Sequence, residues 1–228
     1  MLALTVLYGK WSPESFIVGA ILLFVGLLYQ SLFSNAARVK RALKNVQPKK
    51  IGDFKSGEVG KIKGQIVFAG RTIIAPLSGR ECVYYHIEVE ERNSGGKNSR
   101  WLPVIDEKKK ADVVLFDGEN YAVVVDRKAQ TYIFPDASFT SGSFDDALPE
   151  MEKYLETHKK KSTGILGFNK TMRYTEGILE EDEWCAVAGQ GRWVTPGKVR
   201  LKLPVERVLL ISSAPNVEVF LTDDLDPV

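Results

Sequence analysis

A chain of 228 residues, 44% of them hydrophobic, can bury one ordinary domain core. With 31 basic and 29 acidic residues its net charge is only +2, which excludes a polycation built for nucleic acid. Two cysteines (Cys82, Cys185) and two histidines (His86, His158) are too few for a disulfide scaffold and leave a single bridge open.

The first strong signal is an uncharged run, FIVGAILLFVGLLYQSLF, from Phe16 to Phe33. As a helix it rises roughly 27 Å, close to the hydrocarbon thickness of a bilayer. Trp11 and Tyr29 lie near its ends, where amphipathic rings favour headgroups, and Ser12-Pro13-Glu14 is a helix start. A cleaved leader ending before Ala37 is the rival reading. Against it stand the length of the run and the weak positive charge ahead of it, Lys10 against Glu14.

The bases follow the run: Arg38, Lys40, Arg41, Lys44, Lys49 and Lys50, against one acid, Asp53. They fix topology, with the domain on the cytoplasmic side of a single-pass membrane protein. They are also the expected contacts for a lipid bilayer surface and its anionic headgroups. They lack interleaved aromatics, so no nucleic-acid partner is expected. The chain therefore reads as an N-terminal tail (1–15), a transmembrane helix (16–34), a basic juxtamembrane linker (35–56), a β-rich domain (57–222) and an acidic tail (223–228).

Within the domain, 82–90 alternates with period two. Val83, Tyr85, Ile87 and Val89 are expected on a core face. Tyr84, His86 and Glu88 are expected on the opposite one, the candidate interaction face. Runs at 113–116 and 121–125 around Asp117-Gly118 predict a hairpin. Further strands are expected at 63–68, 130–134, 183–188, 199–203, 208–211 and 217–221. Met151, Tyr154, Leu155 and His158 recur at helical spacing, predicting one helix over 148–160. The fold class is mainly β (α+β): an antiparallel barrel-like or sandwich-like domain with one helical insertion.

Catalytic and metal motifs are absent. On one strand, Cys82 and His86 would lie about 13 Å apart, too far to act as nucleophile and base or to share one ion. No cofactor and no metal are expected. Pro76-Leu77-Ser78-Gly79 lacks the glycine that a nucleophile elbow needs before its serine and reads as a tight turn.

Gly64-Gln65-Ile66-Val67 and the block Pro76-Leu77-Ser78-Gly79-Arg80-Glu81-Cys82-Val83-Tyr84-Tyr85 resemble the "beside a membrane" (GIDE) domain. That domain belongs to mitochondrial membrane-anchored ubiquitin ligases and their prokaryotic relatives. Trp101, the Leu115–Asp126 region and Arg173–Gly189 are similar to further pieces of it. The resemblance implies a membrane-proximal domain with Pro76, Ser78, Gly79 and Cys82 as motif residues. The ligases carry a RING, two zincs held by about eight Cys and His ligands. The two Cys and two His here cannot supply one. The ligase activity is thus not expected of this chain, and two classes remain. One is a membrane-tethered binding or scaffold module for an unidentified protein or peptide. The other is an enzyme with an unrecognised site around Cys82, His86 or the Arg173–Glu176 pair.

Overall fold

The computed structural model describes residues 35–44, 46–93, 99–142, 147–164 and 168–225. The predicted span at 16–34 lies outside them, and among the described residues no helix is long and apolar enough to cross a membrane. The chain divides into two compact units, 1–38 and 39–228. The barrel, the second sheet and the cleft described below all belong to the second unit.

The architecture is mainly β. Strands β1 (Pro48–Lys49) and β2 (Val59–Ile66) follow a helix, α1 (Asn35–Lys44). Next come β3 (Ile73–Ile74), β4 (Glu81–Cys82), β5 (Tyr84–Asn93), β6 (Arg100–Lys110), β7 (Val113–Phe116), β8 (Tyr121–Val124), β9 (Gln130–Tyr132) and β10 (Ala137–Ser141). After α2 (Pro149–Thr157) follow β11 (Met172–Leu179), β12 (Trp184–Val194), β13 (Val208–Ser212) and β14 (Phe220–Thr222).

Five strands close a barrel in the order β2-β7-β8-β13-β12, with β12 returning to β2. All neighbours are antiparallel except β8 and β13, which run parallel. This is a closed Greek-key barrel, which leaves those five strands no free edge at the seam. Its interior is apolar, with Ile62, Ile66, Leu115, Val124, Val187 and Leu209 among the buried side chains. Phe54 lies against Gly60 and Gly191 at one end. At the other end Val83 accepts the Ala111 N–H at 2.8 Å.

The second layer is an antiparallel sheet, β10-β11-β5-β6. Tyr85, Ile87 and Val89 of β5 pack with Met172, Tyr174 and Ile178 of β11 and with Met151, Tyr154 and Leu155 of α2. Helix α2 forms where the apolar spacing predicts it. Pro149 stands in its first turn, with Glu150 and Glu152 at the positive dipole end.

Several expectations change. The alternation through 82–90 breaks at Val83, between β4 and β5. Val83 and Tyr84 plug the barrel, while Cys82 and Tyr85 enter the second core. Tyr84 is therefore only 3% exposed, although its place in the pattern predicted an open face. Both faces are buried there because β5 crosses from one core to the other. Residues 199–203 form no strand: a 3-10 turn (Pro196–Val199) ends at Arg200 in the left-handed region, and Leu201 alone is buried. Residues of the expected linker 35–56 pack on the domain. Val39 and Leu43 bury against Ala188, and Ile51 and Phe54 enter the barrel core. Lys61 reaches the end of α1 and donates to the Leu43 carbonyl at 2.6 Å. Of the expected acidic tail, Asp224 pairs with Lys40 at 2.7 Å and Asp223 accepts the Phe134 N–H.

Candidate functional site

The motif block resolves into a turn held by a carboxylate from a distant strand. Pro76 to Gly79 joins β3 to β4, and the Gly79 N–H donates to the Ala75 carbonyl at 2.9 Å. Gly79 has φ +70°, a left-handed turn position that favours glycine. Glu176 on β11 is 2% exposed, and its two oxygens accept the Leu77 and Ser78 N–H groups at 3.0 Å each. A buried carboxylate is tolerable when such charge-assisted bonds satisfy it. The next residue, Gly177, lets the Phe134 carbonyl approach so closely that a Cβ would sit 2.6 Å from its oxygen.

Arg173 and Glu176 do not pair. Residues three apart on a strand face opposite ways. Arg173 instead pairs with Glu90 and lies 4.7 Å over the Trp101 ring. Cys82 and Cys185 are free and buried, so the open bridge does not form. Burial first, then the Glu176 charge, pushes the Cys82 thiol up to about 11, and burial pushes that of Cys185 higher still. These are inert thiols packed as small hydrophobes.

His86 and Glu88 share the outer face of β5. His86 Nε2 lies 2.8 Å from Asp106 on β6 and 3.7 Å from Glu88. Ligand atoms of these three residues fall within 4.8 Å of one another, so this is the group among the described residues that could hold a cation. The Lys108 ammonium, 3.6 Å from Asp106, already competes for that place.

The opposite face of the same hairpin carries a different arrangement. Glu107 on β6 accepts the Tyr85 hydroxyl at 2.7 Å and the Tyr154 hydroxyl at 2.6 Å. His158 Nε2 lies 3.2 Å from the same carboxylate, and its Nδ1 is 3.0 Å from the Tyr154 carbonyl. Burial works to raise the Glu107 carboxyl, but the two hydroxyls with His158 and Lys109 outweigh it and hold the group below its ordinary value. Burial, then the bond to Glu107, raises the Tyr85 and Tyr154 hydroxyls. Above this cluster opens a cleft of about 400 Å³, lined by Pro76, Glu107, Glu150, Lys153, Tyr154, Thr157 and His158. It lies between α2, β6 and the motif turn.

Sequence reasoning placed Tyr154 and His158 on one helix face but had no signal for Glu107. That residue stands in the run Asp106-Glu107-Lys108-Lys109-Lys110, which reads as solvated surface. Of the basic residues expected at the membrane surface, Lys40, Lys49 and Lys50 have partners in Asp224, Glu58 and Glu119. Arg38 and Arg41, which also have partners, and Lys44 are exposed on α1.

Comparison of the chain with family models, with curated proteins and with solved structures returned no match.

Proposed function

We propose that the protein is a single-pass, membrane-tethered binding module of the beside-a-membrane kind, and that it recognises a protein or peptide segment in the cleft between α2 and β6. The observation that carries this reading is the cleft: about 400 Å³, with a floor carboxylate fixed by three side chains. That volume lies in the range of ligand sites, and fixed polar groups give orientation and specificity. Two acids (Glu107, Glu150) and two bases (Lys153, His158) over Pro76 and Tyr154 suit a segment with an apolar anchor and both signs of charge.

The tether rests on the uncharged run 16–33, and the cytoplasmic placement on the bases that follow it. Kinship to the beside-a-membrane domain rests on the 76–85 block. The backbone N–H groups of Leu77 and Ser78, bonded to Glu176, fix the conformation of the turn in that block. The chain should stay in the pellet under carbonate and need detergent for release; recovery in the supernatant contradicts the tether. For the cleft, Thr157→Trp fills the space and Lys153→Glu reverses a lining charge, both at exposed helix positions. Each should lower the partner retained by full-length chain from native membranes by about tenfold, with unfolding temperature unchanged. Retention equal to the parent in both variants contradicts the reading.

A further inference from the structure

At one end of the four-stranded sheet an exposed aromatic side chain, Phe168, shares the surface with exposed basic residues. Thr163 and Asn169 form a bridge pair, the Gly164 N–H donates to the Phe168 carbonyl at 2.8 Å, and the Lys170 N–H donates to Ser162 at 2.7 Å. This stem is tied to the sheet, because the Arg92 N–H at the end of β5 donates to the Thr171 carbonyl at 2.8 Å. Phe168 is thereby held on an ordered support, yet it is 75% exposed, more than any other large hydrophobic side chain among the described residues. Leu102, 38% exposed on β6, belongs to the same end of the sheet, opposite Glu91 in the strand register.

The surroundings are basic. Lys159, Lys160 and Lys161 are all exposed, and so are Arg92 and Arg100 on the ends of β5 and β6. Lys159 has φ +56°, the left-handed residue that stops α2 and turns the lysine run off the helix. The acids of this end are engaged: Glu91 pairs with Lys170 at 3.0 Å, and Glu90 with Arg173. The exposed acid nearest along the chain is Glu156, on the last turn of α2.

We propose that this end of the sheet is a contact for an anionic bilayer surface, with the Phe168 ring entering the headgroup–acyl boundary and Lys159, Lys160, Lys161, Arg92 and Arg100 meeting lipid phosphates and carboxylates. A bilayer accepts an exposed apolar wedge and rewards like charge around it, which suits Phe168 beside these bases. Each basic residue near an anionic surface favours contact by about fivefold. Contact here would give the domain a second attachment and fix its orientation. The inference deepens the membrane-tethered reading and rests on it for bringing the bilayer within reach.

The test uses the full-length chain with Thr163→Cys carrying an environment-sensitive fluorophore; the two native cysteines are buried and stay unlabelled. The protein is reconstituted into vesicles of phosphatidylcholine, alone or with phosphatidylserine. The expected result is a blue-shifted emission, shielded from iodide, only with phosphatidylserine and reversed by salt. Phe168→Ala should weaken it. K159A/K160A/K161A should lower the contact equilibrium by on the order of a hundredfold. A probe at Lys198→Cys, in the turn after β12, should not respond. Equal emission in both vesicles overturns the proposal. So does shielding that appears in native membranes but not in protein-free lipid, which would assign the Phe168 surface to a protein. Should carbonate strip the chain from the vesicles, the tether reading fails, while the response of the same probe to added phosphatidylserine vesicles still decides this one.

Discussion

The barrel and the helix-capped sheet are both cores, but they differ in what they bury. The barrel interior is aliphatic and aromatic carbon around a closed ring of hydrogen-bonded strands. The second core is interleaved with polar groups: Glu176 under the motif turn, and Glu107 bridging Tyr85 to Tyr154. An apolar closed core tolerates repacking, because hydrophobic contacts are not directional. A buried polar network fixes one geometry, and it fails if one partner is lost. The contrast fits the proposal made above, in which the barrel supplies architecture and the sheet with its helix supplies recognition.

The largest expected effect breaks the barrel side. Val83→Asp places a charge among carbon atoms with no partner, and should cost more than about 4 kcal/mol. The variant should show no cooperative thermal transition in detergent. A near-parental transition would mean that Val83 does not plug the barrel.

Second in size is the polar anchor. Glu176→Ala leaves the Leu77 and Ser78 N–H groups without acceptors and should cost about 3 kcal/mol. Glu176→Gln keeps one carbonyl oxygen and should cost about half as much. Chemical denaturation separates the two. Equal losses would show that shape, and not hydrogen bonding, is what Glu176 provides.

Gly79→Val is smaller. Nothing lies within 4 Å of a Cβ built there, so the cost is the left-handed backbone alone, about 1–2 kcal/mol. A larger loss would reveal a packing constraint at the turn.

The pH dependence sharpens the comparison, because two carboxylates act with opposite sign. Burial pushes Asp223, beside β9 and β14 of the barrel layer, up to about 6 from 3.8. The folded state then holds a proton that the unfolded chain releases first, so stability falls as pH rises from about 4 through 6. Asp223→Asn, which can still accept the Phe134 N–H, should remove that decline, worth about 1–3 kcal/mol. Glu107 is lowered, so its contribution is present above about 4.5 and lost as the pH falls through its folded value. Melting temperatures of parent, Asp223→Asn and Glu107→Gln between pH 3 and 8 distinguish the two slopes.

What was legible in the sequence follows the same division. The hairpin β7–β8 was readable because its apolar runs and Asp117-Gly118 are local signals; Asp117 also accepts the Glu119 and Asn120 N–H groups. Helix α2 was readable from its spacing and termini. Strand β6 was not. It is an edge strand, exposed over most of its length, and Pro103 sits by a bulge opposite Val89 and Glu90. The face assignment failed at Tyr84 because alternation marks two faces but not which core each one meets. Glu107 was hidden among lysines, since its partners come from β5 and α2 and leave no trace in the neighbouring sequence.

The most direct test of the division between architecture and recognition is photocross-linking in native membranes. A cross-linking amino acid is placed at Lys153 in the cleft or at Lys198 on the barrel, both exposed positions of the full-length chain. A discrete adduct from Lys153, lost with Thr157→Trp and absent from Lys198, is the predicted result. Adducts from Lys198 with none from Lys153 would contradict the account and move recognition to the barrel.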